Sequence, residues 1–396
     1  MNLSPKTIAV AISVLGALSS IGFFVASGWG TFNFLSGRRK SSRRGQPQSD
    51  RLPGVTILKP LKGVDPNLWE NFCSHCEQQY PEFQIIFGVS DANDPAIAMV
   101  RQLQQKYPCH QIELVVCVQK LGTNTKVSTL VQMLARARHP ILLVNDSDIQ
   151  VPPDYLARIV AQLHDEQVGL VTCLYRGISG KALGSRLEAL GISTDFIPGV
   201  LSARLLENGL RFGLGSTLAF RRSDLEAIGG FEALLDYLAD DYELGRRIAA
   251  LGKQVELSEI VVDTFLPDYS MRGFLEHQIR WARTIRDARR WGYLGVSLTF
   301  GLAWGLLTVL LTGGAAWAWG VLGVTATARA FVVWMCAKRV LRDPGLARDW
   351  YLLPLRDLIA PLVWMLSFVG NRISWRGDFY YLKQGRLTRA TREASS

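Results

Sequence analysis

The stretch "PILLVNDSDIQVPPDYL", Pro140 to Leu156, ends an apolar run on two aspartates one residue apart, Asp146 and Asp148. Carboxylates at i and i+2 in an extended segment can present oxygens to one hard divalent cation, above all when a phosphate supplies the remaining ligands. Alone, "DSD" is a weak signal, because Asp and Ser are common turn residues. Its company strengthens it. Asp91 ends another apolar run in "GVSDANDP", and Lys126 in "GTNTKVSTL" heads a helical stretch, where its charge and the helix N-terminus can meet a diphosphate together. Taken by itself Lys126 reads as a solvated surface lysine. Asp240 and Asp241 open "ADDYELGRRI", where carboxylates favour a helix start and one of the two can equally serve as a general base.

These residues need a scaffold that brings strand ends together. Between Leu52 and about Leu266 short apolar runs alternate with amphipathic stretches, the pattern of an α/β domain with a mainly parallel sheet. Strands are expected at "VTILKP" (from Val55), "QIIFGV" (Gln84), "IELVVCV" (Ile112), "ILLVN" (Ile141) and "VGLVTCL" (Val168), with helices such as Pro95 to Lys106 and Lys126 to Arg136 between them. In such sheets ligands bind beyond the carboxyl ends of the strands, where Asp91, Asp146 and Asp148 fall. No G-x-G-x-x-G follows the first strand, so a dinucleotide cofactor is not indicated. The pair in "CSHC", Cys73 and Cys76, lacks a second pair to complete a zinc site and reads, with His75 between them, as helix residues.

Hydrophobic residues make up 48% of the chain and its net charge is +10, with the basic residues set beside apolar segments. That arrangement favours anionic lipid headgroups and a phosphorylated substrate over nucleic acid. Ile8 to Leu35 is uncharged, long enough to span a bilayer and followed by "RRKSSRR", which by the positive-inside rule places the chain after Arg38 in the cytosol. A second apolar zone, Tyr293 to about Ala337, is interrupted by "TGGAA" and reads as an outward and a returning span, with Arg329 turned toward protein, water or a headgroup. Tyr351 to Gly370 carries Arg356 and Asp357 and is read as an in-plane or re-entrant helix. Between Arg272 and Trp291, "RGFLEHQIRWARTIRDARRW" alternates apolar residues with Arg280, Arg283, Arg286, Arg289 and Arg290, as in a helix lying in the membrane interface and bringing arginines to the edge of a cleft. Leu190 to Ser216, broken by Pro198 and Gly199, reads either as an acceptor-facing interfacial segment or as an ordinary core helix and loop; Gly213 and Gly215 in it either permit close substrate approach or make a tight strand entry. The expected organisation is an anchor at 1–37, a basic linker at 38–53, a catalytic domain at 54–271, an interfacial helix at 272–292, membrane helices at 293–371 and a basic tail at 372–396.

The ordered set Asp91, "DSD", "ADDY" and "HQIRW" resembles the membrane glycosyltransferases related to ceramide glucosyltransferase, with their motif D, D-x-D, D, (Q/R)-x-x-R-W on a nucleotide-sugar-binding GT-A fold. The resemblance runs over nearly the whole chain. Within that group the wording of "GVSDANDPAIAMVRQLQ", "VGLVTCLYRG" and "GGFEALLDYLADDYELG" is most similar to bacterial hopanoid glycosyltransferases, which resemble enzymes passing N-acetylglucosamine to bacteriohopanetetrol. The resemblance implies that Asp91 holds the uracil or ribose, Asp146 supports the nucleotide, Asp148 with Asp146 holds Mg²⁺ or Mn²⁺, and Asp241 is the base beside Asp240. Arg280 and Trp281 would close the site over the diphosphate and the acceptor mouth. His277 stands where the motif has Gln or Arg. The implied activity is an inverting transfer, in a bacterial inner membrane protein with a cytosolic catalytic domain, from a UDP-sugar, with N-acetylglucosamine favoured, to the hydroxyl of a hopanoid polyol. Glucose transfer to ceramide, a processive polysaccharide synthase and an inactive sugar-nucleotide-binding scaffold are the alternatives.

Overall fold

Val55–Leu61 (β1) is buried at every position, Lys59 included, because it lies inside a sheet covered on both faces. The computed structural model describes residues 4–41, 52–375 and 378–389, so most of the linker expected at 38–53, and Arg376 and Arg392 of the tail, fall outside the described residues. β1 belongs to an eight-stranded sheet with β2 (Phe83–Val89), β3 (Gln111–Val116), β4 (Ile141–Val144), β5 (Ile149–Gln150), β6 (Val168–Ile178), β7 (Leu218–Arg221) and β8 (Gln254–Phe265), in the order β3-β2-β1-β4-β7-β6-β8-β5. β1, β2, β3 and β4 run parallel, as do β6 and β8, whereas β7 and β5 are antiparallel to their neighbours. The sheet is therefore mixed and mostly parallel. Val55 pairs with both Phe83 and Ile141, a register that brings the carboxyl ends of β1, β2 and β4 to one rim.

All five expected strands form, and three more join them. β8 buries Val255, Leu257, Ile260 and Val262, but a register shift opposite Cys173 and Leu174 and the apolar Val261 between the last two spoil a clean alternation. β5 and β7 are too short to show a period. The helix Thr125–Leu134 starts where the Asn124 side chain accepts the Val127 amide, a standard N-cap. Cys73, Cys76 and His75 do sit on one helix, Leu68–Cys76, buried against the sheet, where the Phe72 and Phe87 rings lie 4.6 Å apart.

The chain divides into two compact units. The sheet unit draws on Lys40–Ile178, Glu207–Pro267 and the chain from Gly385, and the apolar unit on the chain up to Arg39, Ser179–Leu206 and Asp268–Gln384. Ser179–Leu206 thus leaves the region expected to be one continuous catalytic domain.

Among the described residues of the apolar unit, three single helical runs are long and apolar enough to cross a membrane: Pro5–Arg38, Leu183–Leu206 and Ala316–Val340. On the first, Ser13, Ser20, Ser27 and Thr31 are fully buried, and Ser27 and Thr31 meet Ser202 and Cys336 at 2.7 and 3.2 Å, the small-residue contact that lets such helices approach closely. Gly30 shows how close: a Cβ there would lie 2.5 Å from the Leu201 carbonyl oxygen. The stretch read as broken at Pro198 and Gly199 is continuous instead, running through a π turn at Ile192–Phe196, and the Thr194 carbonyl four residues before Pro198, which a prolyl nitrogen cannot serve, accepts from Arg329. The outward half of the second apolar zone is not one straight helix, since Arg290–Thr299 and Gly301–Leu311 meet at 55°. Gly313 and Gly314, both with positive φ, make the turn before the return. Leu353–Ser367, fifteen residues, is not among the runs long enough to span.

The basic helix Met271–Ala288 uses two of its arginines in a way its pattern does not reveal. Arg283 donates to the carbonyls of Val369 and Arg372, and Arg286 to that of Ser367, so they cap the C-terminal end of Leu353–Ser367.

Candidate active site

Lys126 is the meeting point of the acidic residues in the sheet unit. Its Nζ lies 2.8 Å from Asp146 Oδ1 and 3.3 Å from Asp240 Oδ2, tying the turn after β4 to the helix Asp240–Ala250. It is largely buried. Burial alone would lower its pKa, but Asp146, Asp240 and Asp241 outweigh that and raise it, so the ammonium is a permanent charge.

Asp241 lies at the head of its helix with Oδ1 accepting the Tyr242 amide and Oδ2 the Gly215 amide, each at 2.8 Å. Burial and the repulsion of Asp240 push its pKa up to about 6, against the pull of Lys126. A carboxylate so tuned is charged at neutral pH yet basic enough to accept a proton. Gly215 separates it from the turn after β4: a Cβ there would sit 3.2 Å from both Asp146 Oδ2 and Asp241 Oδ2. Gly213 packs instead, since its Cβ would meet Leu218 at 2.4 Å.

Asp148 accepts the Thr264 hydroxyl of β8 at 2.7 Å, and its pKa rises to about 7 through burial and the nearness of Asp146. Asp146 thus makes charge on Asp148 costly, and of the two carboxylates Lys126 engages Asp146. Among the described residues no three His, Cys, Asp or Glu side chains are grouped to hold a metal. The donor set therefore fits a divalent ion shared with a phosphate-bearing ligand and not one caged by protein alone.

Beneath this turn lies a buried network that sequence reading missed. Lys59 Nζ, fully buried on β1, donates to Asn145 Oδ1 at 2.8 Å and to the Asp146 carbonyl at 3.1 Å. His75 Nδ1 donates to the Asn71 carbonyl at 2.8 Å, which leaves Nε2 to accept from Asn145 Nδ2 at 2.8 Å. Burial and the Lys59 charge keep that imidazole neutral, while burial lowers Lys59 to about 7 against the attraction of Asp148 and Asp146. His75, read from the sequence as an ordinary helix residue, in fact holds the carboxylate turn from below. A lysine in the middle of a strand that is otherwise apolar was the available signal.

Asp91 stands one residue beyond Ser90 at the exposed tip of β2, where its Oδ1 accepts the Asn93 amide at 2.9 Å. Its described contacts are local, and the Lys126 cluster is not among them. His277, Arg280 and Trp281 lie in the apolar unit on Met271–Ala288. The His277 ring stacks on Tyr269 and touches Trp281, with centroids 5.3 and 5.2 Å away, and Nδ1 lies 2.7 Å from Glu188 Oε1.

The mostly parallel mixed sheet, with acidic residues at its carboxyl rim and a lysine on a helix N-terminus, is that of a GT-A-type glycosyltransferase, as its structural neighbour and family match bear out. The chain belongs to glycosyl transferase family 21, whose pattern matches residues 18–388, and so to a family of sugar-transferring enzymes. It is 27% identical over 237 residues to ceramide glucosyltransferase 3 of Caenorhabditis elegans, covering 60% of this chain and 51% of that protein. To ceramide glucosyltransferase 1 of the same organism it is 28% identical over 208 residues, covering 52% and 44%. The chain thus spans about half the length of the curated relatives it matches. Among solved structures, a mannosyltransferase from Pyrobaculum calidifontis in complex with GDP-mannose and Mn²⁺ superposes with a TM-score of 0.56 over 91% of this chain and 99% of that one, at 20% identity, a likeness of fold.

Proposed function

We propose that this protein transfers a sugar from a UDP-sugar to the hydroxyl of a membrane lipid, with inversion at the anomeric carbon. The observation that carries the reading is the convergence of Asp146, Asp240 and Asp241 on Lys126 at the carboxyl rim of the sheet. In this reading Asp91 binds the uracil or ribose and Lys126 the diphosphate, while Asp146 and Asp148 would hold Mg²⁺ or Mn²⁺. When bound, that cation supplies positive charge against the developing charge of the diphosphate leaving group. Asp241, fixed by two backbone amides, takes the proton of the attacking hydroxyl as its oxygen bonds to the anomeric carbon and the bond to the diphosphate breaks. Asp240 holds Lys126 in place. His277, Arg280 and Trp281 are assigned to the donor by their place in the motif. Three spanning-length helices among the described residues support a membrane protein; the basic run after Leu35 favours a cytosolic catalytic domain, and the wording of the motifs favours a multi-pass protein of a bacterial inner membrane.

The sequence wording favours N-acetylglucosamine and a hopanoid polyol such as bacteriohopanetetrol. A second reading, glucose to ceramide, has its own support in the names of the curated relatives. Membranes containing the protein, given Mn²⁺ or Mg²⁺, UDP-glucose or UDP-N-acetylglucosamine, and bacteriohopanetetrol or ceramide, separate the two by mass spectrometry of the lipids. A hexosamine on the hopanoid supports the first reading, and a hexose on ceramide the second. No glycolipid from any pair refutes both.

A further inference from the structure

In the apolar unit, buried polar atoms without a hydrogen-bond partner gather along one seam. Among the described residues these include Oε2 of Glu188 and Nε and Nη1 of Arg356, whereas Glu188 Oε1, His277 Nδ1 and Asp195 Oδ2 each lie beside a charged partner. Glu188 is 1% exposed and Arg356 7%, so water does not meet their needs from outside. The seam follows one face of the helical run Leu183–Leu206. Glu188 and Asp195 stand seven residues apart on it, with His277 and Gln278 supplied by Met271–Ala288 and Arg356 by Leu353–Ser367.

The ion-pair contacts that exist hold the seam together without saturating it. His277 Nδ1 approaches Glu188 at 2.7 Å, and Arg356 Nη2 donates to Gln278 Oε1 at 3.0 Å and lies 3.2 Å from Asp195 Oδ2. Asp195 Oδ1 is taken by Arg329, which also binds Asp357 through Nη2 at 2.7 Å. Gly191 makes room for the guanidinium, since a Cβ there would lie 2.6 Å from Arg356 Nε. Asp195 sits in the π turn Ile192–Phe196, where the helical ladder is interrupted and can adjust.

The geometry points to this seam as the subsite for the hydroxyl-bearing head of a lipid. The unpartnered oxygen of Glu188 and the unpartnered Nε and Nη1 of Arg356 belong to one seam, so an anion meets a carboxylate there and a cation meets a guanidinium. A hydroxyl, both donor and acceptor, satisfies either kind of group. Successive hydroxyls match the spread of orphaned atoms, and the apolar helices around them suit the lipid body. The inference rests on the reading of a lipid acceptor above and gives that acceptor's head its ligands.

The test uses full-length protein in lipid nanodiscs and the variants Arg356→Lys and Arg356→Gln, which leave the His277–Glu188 contact in place. Acceptor KM, donor KM and acceptor-free hydrolysis of the UDP-sugar are measured alongside thermal unfolding. The expected result is an acceptor KM raised roughly tenfold or more, the loss of about one well-made buried hydrogen bond, with donor KM and hydrolysis unchanged. An unchanged acceptor KM beside a lowered unfolding temperature would show a seam that only joins helices, and would overturn the proposal, as would equal losses for donor and acceptor. Native mass spectrometry of the wild-type protein with bacteriohopanetetrol, ceramide and their deoxygenated analogues judges the seam even if the variants do not fold. Preferential retention of the hydroxylated lipids supports the subsite, and equal retention refutes it. If no glycolipid forms with any donor while that preference holds, the transferase reading fails and the subsite stands.

Discussion

Replacing Asp241 with Asn tests the assignment of the base at one atom's cost. The carboxylate accepts one backbone amide on each oxygen, Gly215 N on Oδ2 and Tyr242 N on Oδ1, both at 2.8 Å. Asparagine keeps one acceptor oxygen and turns an NH₂ toward the other amide, so one of the two bonds is lost and a donor faces a donor. Such a loss costs about 1–3 kcal/mol. Against it stands relief of the repulsion with Asp240 and of the burial of charge, which together hold Asp241 above the usual carboxylate range. The fold should survive, and Lys126, Asp146 and Asp148 keep their own contacts, so UDP affinity should stay near that of the wild type. Turnover should fall by roughly 10²–10⁴, the usual contribution of a positioned general base. The assay is glycolipid formation by mass spectrometry, paired with UDP binding by calorimetry on the same preparation. Glycolipid formed within tenfold of the wild-type rate would refute the assignment. Lost UDP binding would instead show that Asp241 helps hold the donor.

Three other perturbations draw on the same geometry. Lys126→Met leaves the mostly buried Asp240 and the partly exposed Asp146 without their shared cation and should cost about 1–3 kcal/mol, read as a lowered unfolding temperature that added Mn²⁺ partly restores. With saturating divalent cation, kcat/KM should climb about tenfold per pH unit up to about pH 6, where Asp241 loses its proton, and level off above; at low cation concentration the fall should begin nearer pH 7, as Asp148 takes up a proton. Gly245→Ala places a Cβ 2.2 Å from the Gly213 amide nitrogen and 2.5 Å from the Phe212 carbonyl carbon, backbone atoms that cannot turn aside, and should destabilise by at least ~2 kcal/mol in a denaturant melt.

The α/β scaffold was legible in the sequence because its inner strands are near-continuous apolar runs, and the acidic residues because they end those runs. What it withheld were contacts between distant segments. Lys126 taken alone is a surface lysine, and nothing near it in sequence announces Asp146 and Asp240, twenty and more than a hundred residues on. His75 and Lys59 were hidden for the opposite reason. Each looks like a local oddity in an apolar element, and only strand pairing brings β1 beside β4, so that both reach Asn145.

Leu183–Leu206 shows the limit from the side of the helices. Pro198 and Gly199 read as a break, and a break between the D-x-D and base motifs suggested a short interfacial piece. The π turn removes that inference, because one extra residue in the turn before Pro198 carries the helix through it. The same turn carries Asp195, which accepts from Arg329, the residue whose charge in an apolar segment demanded a partner. Charge inside such a helix was a sound signal of a polar contact, but its partners came from two segments, 134 and 28 residues away in sequence. Length alone now makes this run a candidate span, while its buried Glu188 and half-buried Asp195 give it polar groups that a passive anchor would not need. A helix that combines both is better explained by a polar ligand carried on an apolar body than by anchoring alone.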